Sequence, residues 1–498
     1  MTTDTLLRAA VAHHQRGALA EADALYAQVL QRDPDNFDAL HLSGVVARQR
    51  GDAPLALQLI GRAIALDGTR AIAHCNLGAA LQDAGRDSDA LASYERALAL
   101  QPDYALALCN RGNALRRLGR PDEALDSYAA ALALSPRYPE ALCNRALALQ
   151  ELGRHDEALD GFAAALQARP AYAEAINGAA VSLLATGKAE QALQGFDRAL
   201  QLKPGYAEAW CGRGGMLLYA GQFDAALDSY RHALAARPGY ARAQLGLANT
   251  LRVLGRHDAA IAAYRQAKEL GADAATVDYL LAALGAGAAP AASPPGYVAA
   301  LFDGYAPRFE RHLVGELRYR TPEALAGLLG RHLTRQGGND VLDLGCGTGL
   351  CAPLLRPFAR RLEGVDLSRA MLERAAALEL YDGLACADIV PFLRDGSGRW
   401  DVLVAADVLV YVGDLAALFA AARQAMRADA VFAFSVETLE EGTFALRPSG
   451  RYAHSGAYLR ELAARHGLAL RALEPCTLRQ DSGTDVAGLL AVLVRGTD

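Results

Sequence analysis

Apolar residues recur along the first half of the chain at a helical spacing, interrupted at regular intervals. In GRPDEALDSYAAALALSP (119–136) they fall at i, i+3, i+4 and i+7, which is one face of a helix. Glycines punctuate the pattern at 17, 51, 85, 119, 153, 187, 221 and 255, a constant step of 34. Prolines keep the same step at 34, 102, 136, 170, 204 and 238, with Gly68 filling the gap, and tyrosines follow at 104, 138, 172, 206 and 240. Each unit therefore reads as helix, glycine turn, helix, proline break. Eight units begin at 3, 37, 71, 105, 139, 173, 207 and 241. TVDYLLAALG reads as a closing helix, and GAGAAPAASPPG (285–296) has the composition of a linker.

After residue 340 the period changes. VLDLG (341–345) reads as a buried parallel strand, and Gly349 is expected to open a helix to about Arg360. Further strands are expected at LEGVD (362–366), GLACAD (383–388), DVLVAAD (401–407), VFAFSVE (431–437), near 468–474 and at 487–494. Helices are expected from Ser368 to about Leu380, from about Asp414 to Arg427, and near 455–466; Pro322 after Thr321 marks a helix start ahead of the first strand. Such alternation gives a doubly wound sheet whose ligands bind at the carboxyl ends of the strands.

Composition narrows the class. The chain has 498 residues, 52% of them hydrophobic and 21% charged, so more than one folded domain is expected. Net charge is −6, and residues after 300 hold 22 Arg against 25 Asp plus Glu, which speaks against a nucleic-acid partner. No apolar run is long enough to cross a bilayer, and MTTDTLLRAAVAHHQRG lacks a signal-peptide layout. Eight cysteines occur without CxxC spacing, so a cytoplasmic setting is expected. Cys75, Cys109, Cys143 and Cys211 share one repeat position, read as packing because repeat positions spread along an axis while metal ligands converge. Asn76, Asn110 and Asn144 share the next position. They are either a ladder of amides for an extended peptide or local satisfaction of a helix end.

The chemistry concentrates at DLGCGTGL (343–350). With glycines at 345, 347 and 349 and Leu at 350, the dinucleotide pattern GxGxxG fails. Asp343, two residues before the turn, would repel a pyrophosphate and suits a cationic, phosphate-free nucleoside. S-adenosylmethionine is such a ligand, and glycines let the backbone approach it closely. Asp366 ends the second strand, where a carboxylate can accept ribose hydroxyls. Asp388 ends the third, within reach of an adenine amine, and Asp407 ends the fourth, near the transferred methyl. Each also has the plain reading of a helix-capping loop residue.

The 34-residue period, with Gly78, Ala90, Tyr94, Ala97 and Pro102 in the unit 71–104, resembles the tetratricopeptide repeat over residues 3–274. Residues 300–498 resemble a class I (Rossmann-like) S-adenosylmethionine-dependent methyltransferase: DLGCGTG, GVDLS and CADI stand at its cofactor motifs. Repeats followed by FDGYAPRFERHL and this core are similar to bacterial tetratricopeptide-repeat methyltransferases. The resemblance implies an all-α repeat solenoid (3–274), a closing helix and linker (275–299), and an α/β doubly wound domain (300–498). Its seven-stranded sheet would run 3-2-1-4-5-7-6 with strand seven antiparallel. ADA (428–430) stands where relatives carry Pro-Gly-Gly. The cofactor-binding set so implied is Asp343, Gly345, Cys346, Gly347, Gly349, Asp366, Leu367, Asp388 and Ile389, with Tyr305 and Phe309 folding over the cofactor. His454, Asp407 and Tyr411 are the catalytic candidates. LRPSGRYAHS (446–455) is expected to overhang the site, offering Arg447, Arg451, Tyr452 and His454 to an anionic substrate. The tetrad used on planar nitrogens is replaced by DVLVYV. The expected activity is methyl transfer, the repeats recruiting a protein or carrier-bound substrate. The alternatives are a scaffold with a non-catalytic sheet domain, and small-molecule or lipid O-methylation.

Overall fold

The computed structural model of the chain describes residues 1–306, 309, 313, 318–333, 335, 337–481 and 484–496. It divides into two compact units, Met1–Gly212 and Arg213–Asp498.

The first unit is built of helix pairs, from Thr3–Gln15 with Leu19–Arg32 to Ala173–Ala185 with Ala189–Leu202. Helices start at 3, 37, 71, 105, 139 and 173, at the expected step. Between the helices of a pair the chain reverses on a glycine with φ between +73° and +81°, a conformation closed to most side chains. A second column, Tyr26, Ile60, Tyr94, Tyr128, Phe162 and Phe196, stands 34 apart and is at most 1% exposed. These side chains press on small residues of the facing helix. A Cβ on Gly78 would lie 2.6 Å from the Tyr94 ring, and one on Gly112 the same distance from Tyr128.

The cysteine column is buried and tied to the next repeat: Tyr104, Tyr138 and Tyr172 hydrogen-bond Cys75, Cys109 and Cys143. The asparagine column belongs to the same stitching. Asn76 Nδ2 lies 2.8 Å from His41 Nε2, Asn110 Nδ2 donates to Cys75 Sγ at 3.9 Å, and Asn144 bonds Cys109. Each amide reaches the residue 35 positions earlier, and the three side chains are half-buried.

In the second unit the repeats end with Ala241–Val253, His257–Glu269 and a closing helix Ala274–Ala283. The Gly/Ala/Pro-rich stretch after it is not a free linker. Pro290 O accepts from Tyr452 Oη (2.6 Å), Ala291 O accepts from Gly413 N (2.8 Å), and Ser293 N donates to Tyr411 O (2.9 Å). A helix Pro295–Tyr305 follows, then Thr321–His332. Thr321 Oγ1 donates to Leu478 O (3.1 Å) rather than capping its helix.

The sheet comprises β1 (Asn339–Leu344), β2 (Ala359–Asp366), β3 (Gly383–Cys386), β4 (Trp400–Ala405), β5 (Met426–Leu439), β6 (Phe444–Leu446), β7 (Tyr452–Ser455), β8 (Leu468–Asp481) and β9 (Thr484–Arg495). The run β3-β2-β1-β4-β5 is parallel; β9 lies antiparallel to β5 and β8 antiparallel to β9. This is the expected order with two strands added. The addition is the stretch expected to be a loop: β6 and β7 form a hairpin, and β7 runs parallel to the end of β5. Val341, Leu342 and Leu344 of β1 are wholly buried between helical layers. The helix expected from Gly349 to Arg360 is only Ala352–Leu355 with one tighter turn to Phe358, because Pro357 cannot donate to a continuing helix.

Candidate functional site

Strand ends decide the geometry. Where β1 stops, Gly345 turns with φ +65°, its N–H donating to Val365 O at 2.7 Å. A Cβ there would meet Val408 Cγ2 at 2.4 Å, so the turn has room only for glycine. At Gly347 (φ +56°) a Cβ would have nothing nearer than Phe309, at 3.9 Å, so one side of the backbone is left open. Asp366, at the end of β2, closes the turn: its Oδ2 accepts from Gly347 N (2.9 Å) and its Oδ1 from Ser368 N (2.8 Å). Burial raises its pKa, against the pull of these N–H groups. Asp388, after β3, accepts from Val390 N (2.9 Å) and so caps the helix Ile389–Arg394.

These groups border one cavity of about 960 Å³, at the upper end of the small-ligand range. Of the residues proposed from sequence, Gly345, Gly347, Asp366, Leu367, Asp388, Ile389, Tyr305, Phe309, Asp407 and Tyr411 line it. Its roof is aromatic. Phe302 sits edge-on to Tyr411 (5.5 Å between centroids) and to Phe309 (6.2 Å), and Tyr305 edge-on to Phe309 (5.2 Å). Asp303 latches that roof to the rim, accepting from Ser368 Oγ at 2.6 Å.

Four expected residues are absent from the lining. Asp343 is 1% exposed beneath the turn, where Tyr381 Oη donates to its Oδ2 (2.7 Å), and burial pushes its pKa up to about 7. Cys346 and Gly349 face inward, toward Gly364 and Leu378. His454 is the clear correction. It is wholly buried in β7, its Nε2 hydrogen-bonds Gly413 O (3.0 Å), and its ring stacks on Tyr458. Burial lowers its pKa to about 4. A base must reach the reacting atom, and this ring does not border the cavity. Arg447 donates to Thr438 O and Tyr452 to Pro290 O, so of the hairpin only Arg451 lines the cavity.

Sequence reading missed a network in the cavity wall, where Arg479 and Asp407 both line the cavity. Arg479 of β8, 2% exposed, donates from Nη1 to Asp407 Oδ2 (2.9 Å) and from Nη2 to Glu437 Oε1. Paired charges at this depth require mutual hydrogen bonds, which the triad supplies. Asp407 itself stands at φ +60°, rare for a non-glycine, with its N–H held by Ser435 Oγ (2.8 Å). The acidic residue in VFAFSVE was the available signal for Glu437. None existed for Arg479, which lies beyond the strand expected to end at 474.

Comparison with known proteins follows the same division. A methyltransferase-domain family model matches residues 315–473. Tetratricopeptide-repeat models match 7–71, 83–119, 112–153, 143–207 and 216–275. The chain is 34% identical over 102 residues to the biotin biosynthesis bifunctional protein of Saccharophagus degradans, covering 19% of this chain and 18% of that one. To the ubiquinone biosynthesis O-methyltransferase of Coxiella burnetii it is 29% identical over 107 residues, 21% of this chain and 42% of the relative. It thus spans less than half the length of these relatives. A solved chain of the APC/C hetero-tetramer Cut9-Hcn1 aligns with TM-score 0.45 and 19% identity, over 54% of this chain and 53% of that one.

Proposed function

We propose that this chain, which joins tetratricopeptide repeats to a methyltransferase domain, catalyses methyl transfer from S-adenosylmethionine to an acceptor bound in the cavity beside it. The observation that carries the reading is the rim: an open glycine turn and two carboxylates at successive strand ends, all facing one aromatic-roofed cavity. The site fits the cofactor. Gly347 leaves backbone free for close approach, and Asp366, though its carboxylate accepts from the N–H groups of Gly347, Leu367 and Ser368, keeps acceptor capacity for ribose hydroxyls.

Bound there, the cofactor would be held by Asp366 and Asp388 at its nucleoside end and would supply an activated methyl on sulfur. The protein's work is alignment and exclusion of water. Asp366 and Asp388 hold the nucleoside end, the roof of Phe302, Tyr305 and Phe309 keeps solvent off, and Tyr411 borders the acceptor side. The repeats recruit a protein or carrier-bound substrate. Because residues 290–293 are pinned to the sheet domain, the last repeats of the second unit serve as a fixed platform, not a loose tether.

Calorimetry with S-adenosylhomocysteine tests the cofactor reading. Asp366→Asn is expected to weaken binding about 10- to 100-fold, as befits a lost charge-assisted hydrogen bond of ~1.5–3 kcal/mol. Unchanged affinity in that variant would refute the assignment. Tritiated-methyl transfer into lysate would then show whether the acceptor is protein, lipid or small molecule.

A further inference from the structure

The cavity has two ends. Asp366 and Asp388 mark the nucleoside end, beyond β2 and β3. The other end lies past β4 and β5, where Tyr411 and Arg451 line the wall. Resting on the methyl-transfer reading, we infer that this second end selects an acceptor with an apolar body and a carboxylate, and that Arg451 is the residue that pairs with the carboxylate.

Three observations converge. First, Arg451 is loosely paired, its ion pair with Glu437 being longer than a hydrogen bond. Asp407 and Glu437, the acids nearest it, both bond Arg479 directly. Arg451 Nη1 stands 3.9 Å from Glu437 Oε1, outside hydrogen-bonding distance, and its side chain is 26% exposed. Tyr411 is its hydrogen-bond partner, and Arg451 lines the cavity. A planar fork so placed matches a carboxylate in a two-point contact.

Second, the arginine is aimed. On one side Gly450 (φ +77°) has its carbonyl held by Tyr279 Oη at 2.5 Å, and Tyr279 is itself bonded by Ser293 Oγ (2.8 Å). On the other side Tyr452 is wholly buried and anchored to Pro290 O. Arg252 of the last repeat adds a bond to Pro448 O (2.7 Å). A hairpin turn gripped at three residues holds its side chain in position before any ligand arrives. Solvated loop arginines have no such support.

Third, much of the cavity wall is apolar. Val298, Leu301, Phe302 and Val412 line the same cavity, Phe302 edge-on to Tyr411. A small polar acid would leave this surface unfilled. A chain or ring ending in a carboxylate fills it and places its charge at Arg451.

The test uses the full chain saturated with S-adenosylhomocysteine, probed by calorimetry with octanoate, octanamide and octyl phosphate. Octanoate is expected to bind at least tenfold tighter than octanamide. Arg451→Gln should remove that preference and leave S-adenosylhomocysteine affinity within twofold; Arg451→Lys, which keeps the charge without the fork, should retain part of it. Equal binding of octanoate and octanamide, or tighter binding of octyl phosphate, would overturn the inference. So would loss of S-adenosylhomocysteine binding in Arg451→Gln with the fold intact by circular dichroism, which would assign the arginine to the cofactor's own carboxylate. Failure of the wild-type chain to bind S-adenosylhomocysteine at all would instead remove the methyl-transfer reading on which this one stands.

Discussion

Glycine does different work in the two halves of this molecule. In the repeats, a ring from a neighbouring helix needs Gly78 and Gly112 bare, and the same contact recurs 34 residues on. In the sheet domain, Gly345 is bare because Val408 crowds it, and that contact occurs once. The repeats solve one packing problem many times; the sheet domain solves many problems once each. Redundancy buffers the first against a single loss, since each repeat contacts only its neighbours. A single-copy site has no such reserve.

The strongest test of that redundancy is Tyr94→Ala. The ring is wholly buried, covers Gly78, and its hydroxyl donates to Gln82 at 2.6 Å. Removing it should cost about 3–5 kcal/mol, as large-to-small core changes do. Tyr128→Ala, its counterpart one repeat on, should cost the same within about 1 kcal/mol. Urea unfolding followed by circular dichroism measures both. Clearly unequal costs would mean that the repeats are not equivalent. S-adenosylhomocysteine affinity should stay unmoved, because every cavity residue lies in Arg213–Asp498.

A second, smaller effect belongs to the single-copy half and depends on pH. Asp343 has its pKa raised from 3.8 to about 7 by burial, so its stabilising contribution is full below 3.8 and is lost as pH rises through 7. His454 has its pKa lowered from 6.5 to about 4, also by burial, so its contribution is present above 6.5 and is lost as pH falls through 4. Between about pH 4 and 6.5 the two slopes oppose, each near 1.4 kcal/mol per pH unit. Asp343→Asn should uncover the histidine. On going from pH 6.5 to 5, the variant should lose about 2 kcal/mol more than its parent. The chain has two tryptophans, so in a Trp210→Phe background the buried Trp400 reports on the sheet domain by fluorescence. Parallel pH profiles for parent and variant would show that Asp343 is ionised in the fold.

What the sequence disclosed follows the same line between repeated and single features. A column repeated every 34 residues averages out local accident, so helix starts at 37, 71 and 105 were legible to the residue. The turn at 345–349 was legible because close backbone approach has few solutions. Contacts between distant single residues were not. Nothing in RQDS places Arg479 against Asp407, 72 residues earlier, and nothing in LELYDG places Tyr381 on Asp343. The hairpin of β6 and β7 was misread because its turn, RPSG, is as polar as any loop, while its pairing with β5 is long-range. His454 was misplaced for that reason: 452–455 is a strand buried at every residue. The shortened helix before β2 was legible and overlooked, since Pro357 stands in the sequence.

The smallest predicted effect isolates backbone from packing. Gly85 and Gly345 share nearly the same conformation, φ +73° and +65°. Around Gly85 a Cβ would meet nothing within 4 Å, whereas at Gly345 it would strike Val408. Gly85→Ala therefore carries only the cost of a left-handed alanine, about 1–2 kcal/mol. Gly85→Asn should recover part of that cost, since asparagine enters this region more readily. Thermal unfolding of the two variants measures the difference. If Gly85→Ala instead costs as much as Tyr94→Ala, the turn is doing more than reversing the chain, and the helix ends it joins, where Arg86 N donates to Leu81 O at 2.8 Å, must move when a methyl is added.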